Sequence, residues 1–199
     1  SPKQIATLQW WGQRISGGGT GIYRPYGAAV DGAHVWIANS MSNSVTELDA
    51  ADGTWIQTLS GGSYGFYFPN TIVFDGLHLW ITNTGNGSVT EVNASDGSWI
   101  RTLSGGNYGF SCPSAAAFDG DHIWFANATG NSVTEINASD GAWVQTLSGG
   151  TYGFYNPAGV AFDGTHVWIS NAELGPNGDG YSVTEINASD GSWVRTLSG

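Results

Sequence analysis

The chain has 199 residues and a formal net charge of −11, from 16 acidic and 5 basic side chains. This balance repels a phosphate backbone and argues against a nucleic-acid partner, and the lack of a long apolar run argues against a membrane span. Cys112 is the only cysteine, which excludes an intrachain disulfide. Many glycines and tryptophans with few charges favour an all-β protein built of short strands.

The predicted elements recur with a step of 44 residues. Each copy begins near a proline and carries one histidine, at Pro25, Pro69, Pro113 and Pro157 and at His34, His78, His122 and His166. The step from Glu135 to Glu185 is 50 residues instead of 44, so the fourth copy holds a six-residue insertion near residues 172–181.

The first element along the chain is a fragment of this unit. Ile15 to Gly19 lies one repeat step before Leu59 to Ser63, so the preceding residues 7–14 (TLQWWGQR) correspond to the last strand of a copy whose other strands are missing. Trp10 and Trp11 have no counterparts in the tryptophan series of the repeats. We therefore predict that Leu8, Trp10 and Trp11 form an assembly contact.

Each complete copy is predicted to contain four strands, as the third copy illustrates. Strands are expected at 115–118, 122–126, 132–136 and 142–147, where β-branched and aromatic residues form short runs. Asp119-Gly120 and the Asp140-Gly141 pair predict tight turns, since Asp and Gly tolerate positive φ. Four antiparallel strands in a repeat of this length are typical of a β-propeller blade.

The segment from Phe162 to Asn171, FDGTHVWISN, followed by SVTEI at 182–186, resembles the bacterial YVTN/NHL-type propeller repeat family. The resemblance covers residues 15–199 and implies the propeller fold. It does not specify an activity, because propellers host many different activities. The chain is accordingly divided as follows: 1–24, orphan fourth strand and loop; 25–68, blade 1; 69–112, blade 2; 113–156, blade 3; 157–199, blade 4 with the insertion; all within one propeller domain.

Four complete blades and a spare strand leave three solutions for closure. The chain is a part of a longer array, or it forms a four-bladed ring with the spare strand at an edge, or the spare strand pairs with another molecule. Low lysine content and the family resemblance predict a secreted or cell-surface bacterial protein.

Residues that recur in every copy are interpreted as structural. The histidines are expected to bond a turn carbonyl or a neighbouring blade, the third-strand glutamates to pair with Arg101, Arg195 or a backbone amide, and the tryptophans to pack between blades. Cys112 is interpreted as a small filler residue. No metal site, cofactor or catalytic residue is predicted, because no ligand cluster or nucleophile–base pair is visible.

Positions at which the copies differ are the predicted binding residues. They lie in the loops between fourth and first strands and in the inserted loop, which share the top face of a propeller with the channel mouth. These candidates are Tyr26, Tyr64, Tyr67, Asn70, Tyr108, Ser114, Tyr152, Tyr155, Asn177, Asp179 and Tyr181. Their aromatic rings are suited to stacking on a ligand such as a sugar, or to packing the loops themselves.

The sequence thus predicts a non-enzymatic binding or scaffold propeller whose partner is another protein or a second copy of itself. A glycan-binding, lectin-like propeller is the first alternative. A lyase is the second, because related propellers resembling streptogramin lyase place His and Glu residues on the top face of different blades. Here every His and every recurrent Glu is in register with the repeat, which argues against that chemistry.

Overall fold

The computed structural model describes residues 19–172 and 181–198, and over these the protein is all-β. Four four-stranded antiparallel sheets follow one another in sequence, each with its strands in chain order. The strands are β1 (Pro25–Val30), β2 (His34–Asn39), β3 (Ser44–Asp49), β4 (Trp55–Ser60), β5 (Pro69–Phe74), β6 (His78–Asn83), β7 (Ser88–Asn93), β8 (Trp99–Ser104), β9 (Pro113–Phe118), β10 (His122–Asn127), β11 (Ser132–Asn137), β12 (Trp143–Ser148), β13 (Pro157–Phe162), β14 (His166–Asn171), β15 (Ser182–Asn187) and β16 (Trp193–Ser198).

The third sheet shows how the sequence forms a blade. Its four predicted strands are confirmed to within two residues. Asp119 closes the first turn, because its Oδ1 accepts hydrogen bonds from the backbone amides of Asp121 at 2.9 Å and His122 at 2.7 Å. Gly120 adopts a φ of 113°, which an L side chain rarely adopts. A three-residue 3-10 helix, Gly106–Tyr108, lies in the loop before this blade.

Successive sheets pack face to face through apolar layers. Between blades 1 and 2, Trp36 and Val45 of the first sheet pack with Leu79 and Ile81 of the second, and all four side chains are fully buried. Equivalent layers lie between blades 2 and 3 and between blades 3 and 4. The second-strand tryptophans of blades 1 to 3 therefore form the core, as predicted, whereas the fourth-strand tryptophans are 40–45% exposed at the outer rim.

The four blades are arranged as an arc. The first strand of each blade contacts the first strand of the next, from β1 to β5, β5 to β9 and β9 to β13. Within residues 19–172 and 181–198, no comparable contact joins β13 to β1. Over the same residues, no helix is long and apolar enough to cross a membrane.

Several predictions concern residues outside the described ranges. The orphan strand and its assembly residues Leu8, Trp10 and Trp11 lie in the segment before residue 19. Asn177 and Asp179 of the insertion lie between residues 172 and 181. These predictions stand as the sequence made them.

Candidate functional site

The strand order gives each blade two distinct ends. Turns between first and second strands and between third and fourth strands form the bottom face, with the recurrent Asp-Gly pairs. Loops between second and third strands, and between one blade's fourth strand and the next blade's first strand, form the top face. The two faces carry different kinds of residue and are described in turn.

The bottom face carries the same polar network in all four blades. In blade 1, Asp31 Oδ2 accepts a hydrogen bond from Trp36 Nε1 at 2.8 Å and lies 3.0 Å from His34 Nδ1. The same His34 nitrogen lies 3.6 Å from Glu47 Oε1. The histidine thus bonds its own turn carboxylate, where the sequence predicted a turn carbonyl or a neighbouring blade, but its role is structural as expected.

Hydrogen bonds and burial shift the pKa values of these carboxyl groups in opposite directions. Burial alone would raise the pKa of Asp31, but the Trp36 indole and the amides of His34 and Ala33 together hold it below its ordinary value. Burial raises the pKa of Glu135, and the hydrogen bond from Gln145 opposes that effect only in part. Burial likewise raises the pKa of Glu91 against the opposing charge of Arg101.

The third-strand glutamates bind long side chains on the fourth strand. Arg101 Nε lies 2.8 Å from Glu91 Oε2, an ion pair, and Arg195 pairs with Glu185, as predicted. Glutamines replace these arginines in blades 1 and 3, and Gln57 Nε2 donates to Glu47 Oε2 at 2.7 Å.

These fourth-strand side chains also reach the next blade. Gln57 Nε2 donates to the carbonyl of Asp96 at 3.0 Å, Gln145 to that of Asp190 at 3.2 Å, and Arg101 to that of Asp140. The bottom network therefore ties adjacent blades together. Over the described residues, no group of three His, Cys, Asp or Glu side chains is placed to hold a metal ion.

Shallow grooves separate the bottom turns of adjacent blades. One of about 460 Å³ is lined by His34 and His78, and a second of about 540 Å³ by His78 and His122. Each histidine has its Nδ1 directed at its own Asp and Glu. The grooves repeat with the fold, and apart from the variable turn position held by Ala33, Leu77 and Asp121 their lining residues recur between copies, so they are a consequence of blade packing.

Three of the predicted top-face tyrosines are loop-packing residues. The rings of Tyr64, Tyr108 and Tyr152 stack on Phe66, Phe110 and Phe154 with centroids 5.2, 5.3 and 5.2 Å apart. Their hydroxyls donate to the carbonyls of Gly97, Gly141 and Gly191 at 3.0, 2.9 and 3.2 Å. The sequence left this role open beside ligand stacking, and the contacts favour packing for these three.

Asn70 and Ser114 lie half-buried on the inner strands. Ser114 Oγ donates to the carbonyl of Pro157 at 3.0 Å, and its own carbonyl accepts from Thr71 Oγ1 at 2.8 Å. Ser114 thus links three successive blades around the arc. Tyr155 is also half-buried, and its amide donates to Asn171 Oδ1 at 3.2 Å.

The remaining tyrosines are exposed on the top face. Tyr26 is 63% exposed beside a register shift that bends the start of β1, and such bulges re-aim side chains. Tyr67 is 47% exposed and packs edge-on against Phe68, with ring centroids 5.0 Å apart. Tyr181 is 71% exposed at the start of blade 4's third strand.

Phe68 and Tyr23 are exposed aromatics that sequence reasoning missed. Phe68 is 38% and Tyr23 62% exposed. The amide of Phe68 donates to Asn43 Oδ1 of blade 1 at 2.8 Å, so this loop of blade 2 is fixed across the blade boundary. We call Tyr23, Tyr26, Tyr67 and Phe68 the aromatic rim; it occupies the top face of blades 1 and 2.

The position of Phe68 is conformationally unusual. The residue before each repeat proline is left-handed, with φ of 52° at Arg24, 50° at Phe68, 53° at Cys112 and 46° at Asn156. Asparagine tolerates this region, whereas a bulky residue there is strained. Because this conformation recurs in all four blades, it belongs to the fold, and Phe68 is distinguished by being the one aromatic residue that adopts it there. The signal in the sequence was a different residue in each copy immediately before an invariant proline of the repeat.

The aromatic rim is a surface of exposed aromatic side chains. Its four side chains offer ring faces and edges and three phenolic hydroxyls, together with the guanidinium of Arg24 beside them in the chain. Aromatic and arginine side chains are those that dominate protein interfaces. A surface of this composition is suited to packing against apolar side chains of a partner.

Comparison with known proteins identifies the fold. No protein-family model matches the sequence, and no curated protein matches it. Among solved structures, hydrazine synthase of Kuenenia stuttgartiensis superposes with a TM-score of 0.73 at 21% identity, over 93% of this chain and 51% of that chain. Streptogramin B lyase gives 0.65 at 18% identity, over 87% and 53%. The RRP9 WD40 repeats give 0.75 at 15% identity, over 94% and 54%.

These similarities confirm the β-propeller fold. The identities are too low to show more than architecture, and a lyase stands beside a WD40 repeat protein among the similar structures. The chain spans about half the length of each of the three chains it resembles. The finer assignment to the YVTN/NHL-type family remains a prediction.

Proposed function

We propose that this propeller is a non-enzymatic scaffold that binds another protein through the aromatic rim. The observation that carries the proposal is the exposed Tyr67–Phe68 pair, held in a left-handed loop and bonded across to blade 1. Phe68 is 38% exposed on a left-handed backbone that favours Asn over a bulky residue, and a contact with a partner is a physical reason for an aromatic side chain at this position. WD40 repeats among the similar structures are in keeping with this reading.

A lyase reading has weaker support. Every described histidine belongs to the bottom network, with its Nδ1 within 3.0–3.6 Å of a turn carboxylate of its own blade. Acid–base chemistry at a propeller's channel mouth requires suitable groups on the top face, and the four side chains of the aromatic rim include no His, Asp, Glu, Cys or Lys.

Glycan binding is the second candidate, because exposed tyrosines can stack on sugar rings. Two polar groups beside the rim are already engaged by Phe68, since Asn43 Oδ1 accepts from its amide and Thr84 Oγ1 donates to its carbonyl. We therefore rank a protein partner first. Secretion, and assembly through residues 1–14, remain predictions of the sequence.

Selection of linear peptides from a display library against the immobilised chain tests the proposal. We expect peptides with apolar side chains to be enriched, and Phe68→Asn to weaken their binding at least about tenfold, as loss of an interface anchor does. Asn is the residue at the equivalent position of blade 4, Asn156, so the variant should fold.

The matched control is Leu77→Asn, which removes an exposed apolar side chain from the bottom face of the same blade. It should leave peptide binding unchanged. Equal loss in both variants, or no loss in Phe68→Asn, would contradict the proposal. A glycan array provides the other arm, because a sugar bound in the absence of any selected peptide would favour the lectin-like alternative.

A further inference from the structure

The last blade of the arc presents a face that the other blades bury. Leu197 is 48% exposed, whereas its counterparts Leu59 and Leu147 are 4% and 7% exposed. Trp168 and Val183 are half-buried on the same face, although the equivalent tryptophans and valines of blades 1 to 3 are fully buried. Blade 4 therefore carries an interface surface without a blade packed on it among the described residues.

The turn carboxylate of blade 4 is also more exposed than those of blades 1 to 3. The side chains of Asp31, Asp75 and Asp119 are 7%, 5% and 6% exposed, and that of Asp163 is 43% exposed. All four accept a hydrogen bond from the tryptophan of their own blade at 2.7–2.8 Å. The internal bonding is thus equal, and only the covering blade distinguishes Asp163.

The internal interfaces show which surface covers such a face. Between blades 1 and 2 the covering residues include Phe74, Leu79 and Ile81 of blade 2. Blade 1 has Val30, Val35 and Ile37 at the corresponding places. Val30 is 58% exposed, and Val35 and Ile37 are half-buried, while Leu79 and Ile81 are fully buried. The arc therefore has two complementary ends.

We propose that the blade 4 face of one copy packs on the blade 1 face of a second copy and reproduces the interface found three times within the chain. The polar contact is expected to follow as well. Gln57, Arg101 and Gln145 each donate to a turn carbonyl of the next blade, at Asp96, Asp140 and Asp190. Arg195 occupies that place in blade 4, and its acceptor is the carbonyl of Asp52 in the second copy.

The geometry of propellers sets the stoichiometry. Two arcs supply eight blades, which is the upper end of the usual range of about four to eight. A heterologous contact of this kind either closes into a ring or continues as a filament, and two contacts related by a two-fold axis close the ring. The expected species is a closed dimer. It depends neither on the aromatic rim nor on strand exchange through residues 1–14.

Mass measurement in solution across a hundredfold concentration range tests this inference. The intact chain should have twice the mass of one chain. Leu197→Glu and Val30→Glu place a carboxylate in the interface at positions exposed in the single chain, so each should be folded and monomeric. Leu77→Glu is the matched control, an exposed leucine on neither end face, and should remain dimeric.

Mixing the two monomeric variants distinguishes this contact from a symmetric one. Val30→Glu retains an intact blade 4 face and Leu197→Glu an intact blade 1 face, so their mixture should form heterodimers through one native interface. A dimer in which the same end face of both copies meets, blade 4 on blade 4 or blade 1 on blade 1, would gain nothing from mixing.

Three results would overturn the inference. The intact chain could be monomeric at every concentration, or its mass could keep rising with concentration instead of stopping at two copies. The dimer could also survive Leu197→Glu but disappear when residues 1–14 are deleted, which would favour exchange of the terminal strand. Peptide binding at the aromatic rim is measured separately, so either proposal can fail without the other.

Discussion

The bottom face and the top face of this arc are built from the same repeat but use it in opposite ways. At the bottom, the Asp–Trp–His–Glu network recurs in all four blades, with Trp–Asp hydrogen bonds of 2.7–2.8 Å, and long side chains of the first three blades reach the next blade. At the top, the copies diverge, and blades 1 and 2 expose aromatic residues. The difference shows that regular positions maintain the fold, and it is the basis for our proposal that irregular ones contact a partner.

The largest effect is expected from the recurrent tryptophans that pack between the blades. Trp80→Ala removes a fully buried ring between blades 2 and 3 and should lower the free energy of unfolding by about 3–5 kcal/mol. Trp99→Ala, in the outer strand of the same blade, removes a ring that is 45% exposed and should cost less than half as much. Urea unfolding followed by circular dichroism measures both. Equal losses would contradict the assignment of the two tryptophan series.

A smaller effect is expected from the turn carboxylate. Asp119→Ala leaves the Trp124 indole and the His122 amide without their acceptor, which should lower the free energy of unfolding by about 1–3 kcal/mol. Asp121→Ala, two residues further in the same turn, removes an exposed carboxylate and should change stability little. If the two variants unfold at the same urea concentration, the network does not stabilise the blade as described.

The buried glutamates should leave a signature in the pH dependence of stability. The folded-state pKa of Glu135 is raised above its ordinary value of 4.5, so its contribution is present below that value and is lost as pH rises through the folded pKa. Glu135→Gln removes the titrating carboxyl and with it this pH-dependent contribution to the free energy of unfolding. The variant should therefore gain stability relative to the native chain between pH 4 and pH 7, measured by urea unfolding at each pH. A constant difference between the two proteins would show that Glu135 does not titrate in this way.

The smallest effect on stability is expected at the irregular position. Phe68→Asn relieves a left-handed backbone but loses the edge-on contact with Tyr67, so its free energy of unfolding should be unchanged or higher by about 1 kcal/mol. The reciprocal change Asn156→Phe introduces the same backbone strain in blade 4 and should lower the free energy of unfolding by about 1 kcal/mol. Thermal and urea unfolding compare the two. A large destabilisation by Phe68→Asn would make Phe68 a structural residue and weaken its proposed role.

Repeat periodicity predicted most of the fold. The strands, the Asp-Gly turns and the burial of Trp36, Trp80 and Trp124 follow from local patterns that every copy shares. Arg101 was one of the partners that the sequence left open for the third-strand glutamates, and it pairs with Glu91.

Features that depend on how the blades pack on one another could not be predicted from the sequence. Asp163 and Leu197 are exposed because blade 4 is at the end of the arc. The equivalent positions of the other blades also hold Asp and Leu, so the residue type does not predict the exposure. Likewise, Tyr64 and Tyr67 are three residues apart in one loop. Only the fold shows that the first donates its hydroxyl to Gly97 while the second lies open on the top face.

Hydrogen exchange measured by mass spectrometry, with and without a selected peptide, tests the division between the two faces most directly. Bound peptide should slow exchange in the top-face segments 22–26, 65–70 and 84–87 and leave the bottom turns at 31–34 and 75–78 unchanged. Protection at the bottom turns, or along the outer strands, with no change in the top-face loops would contradict the account.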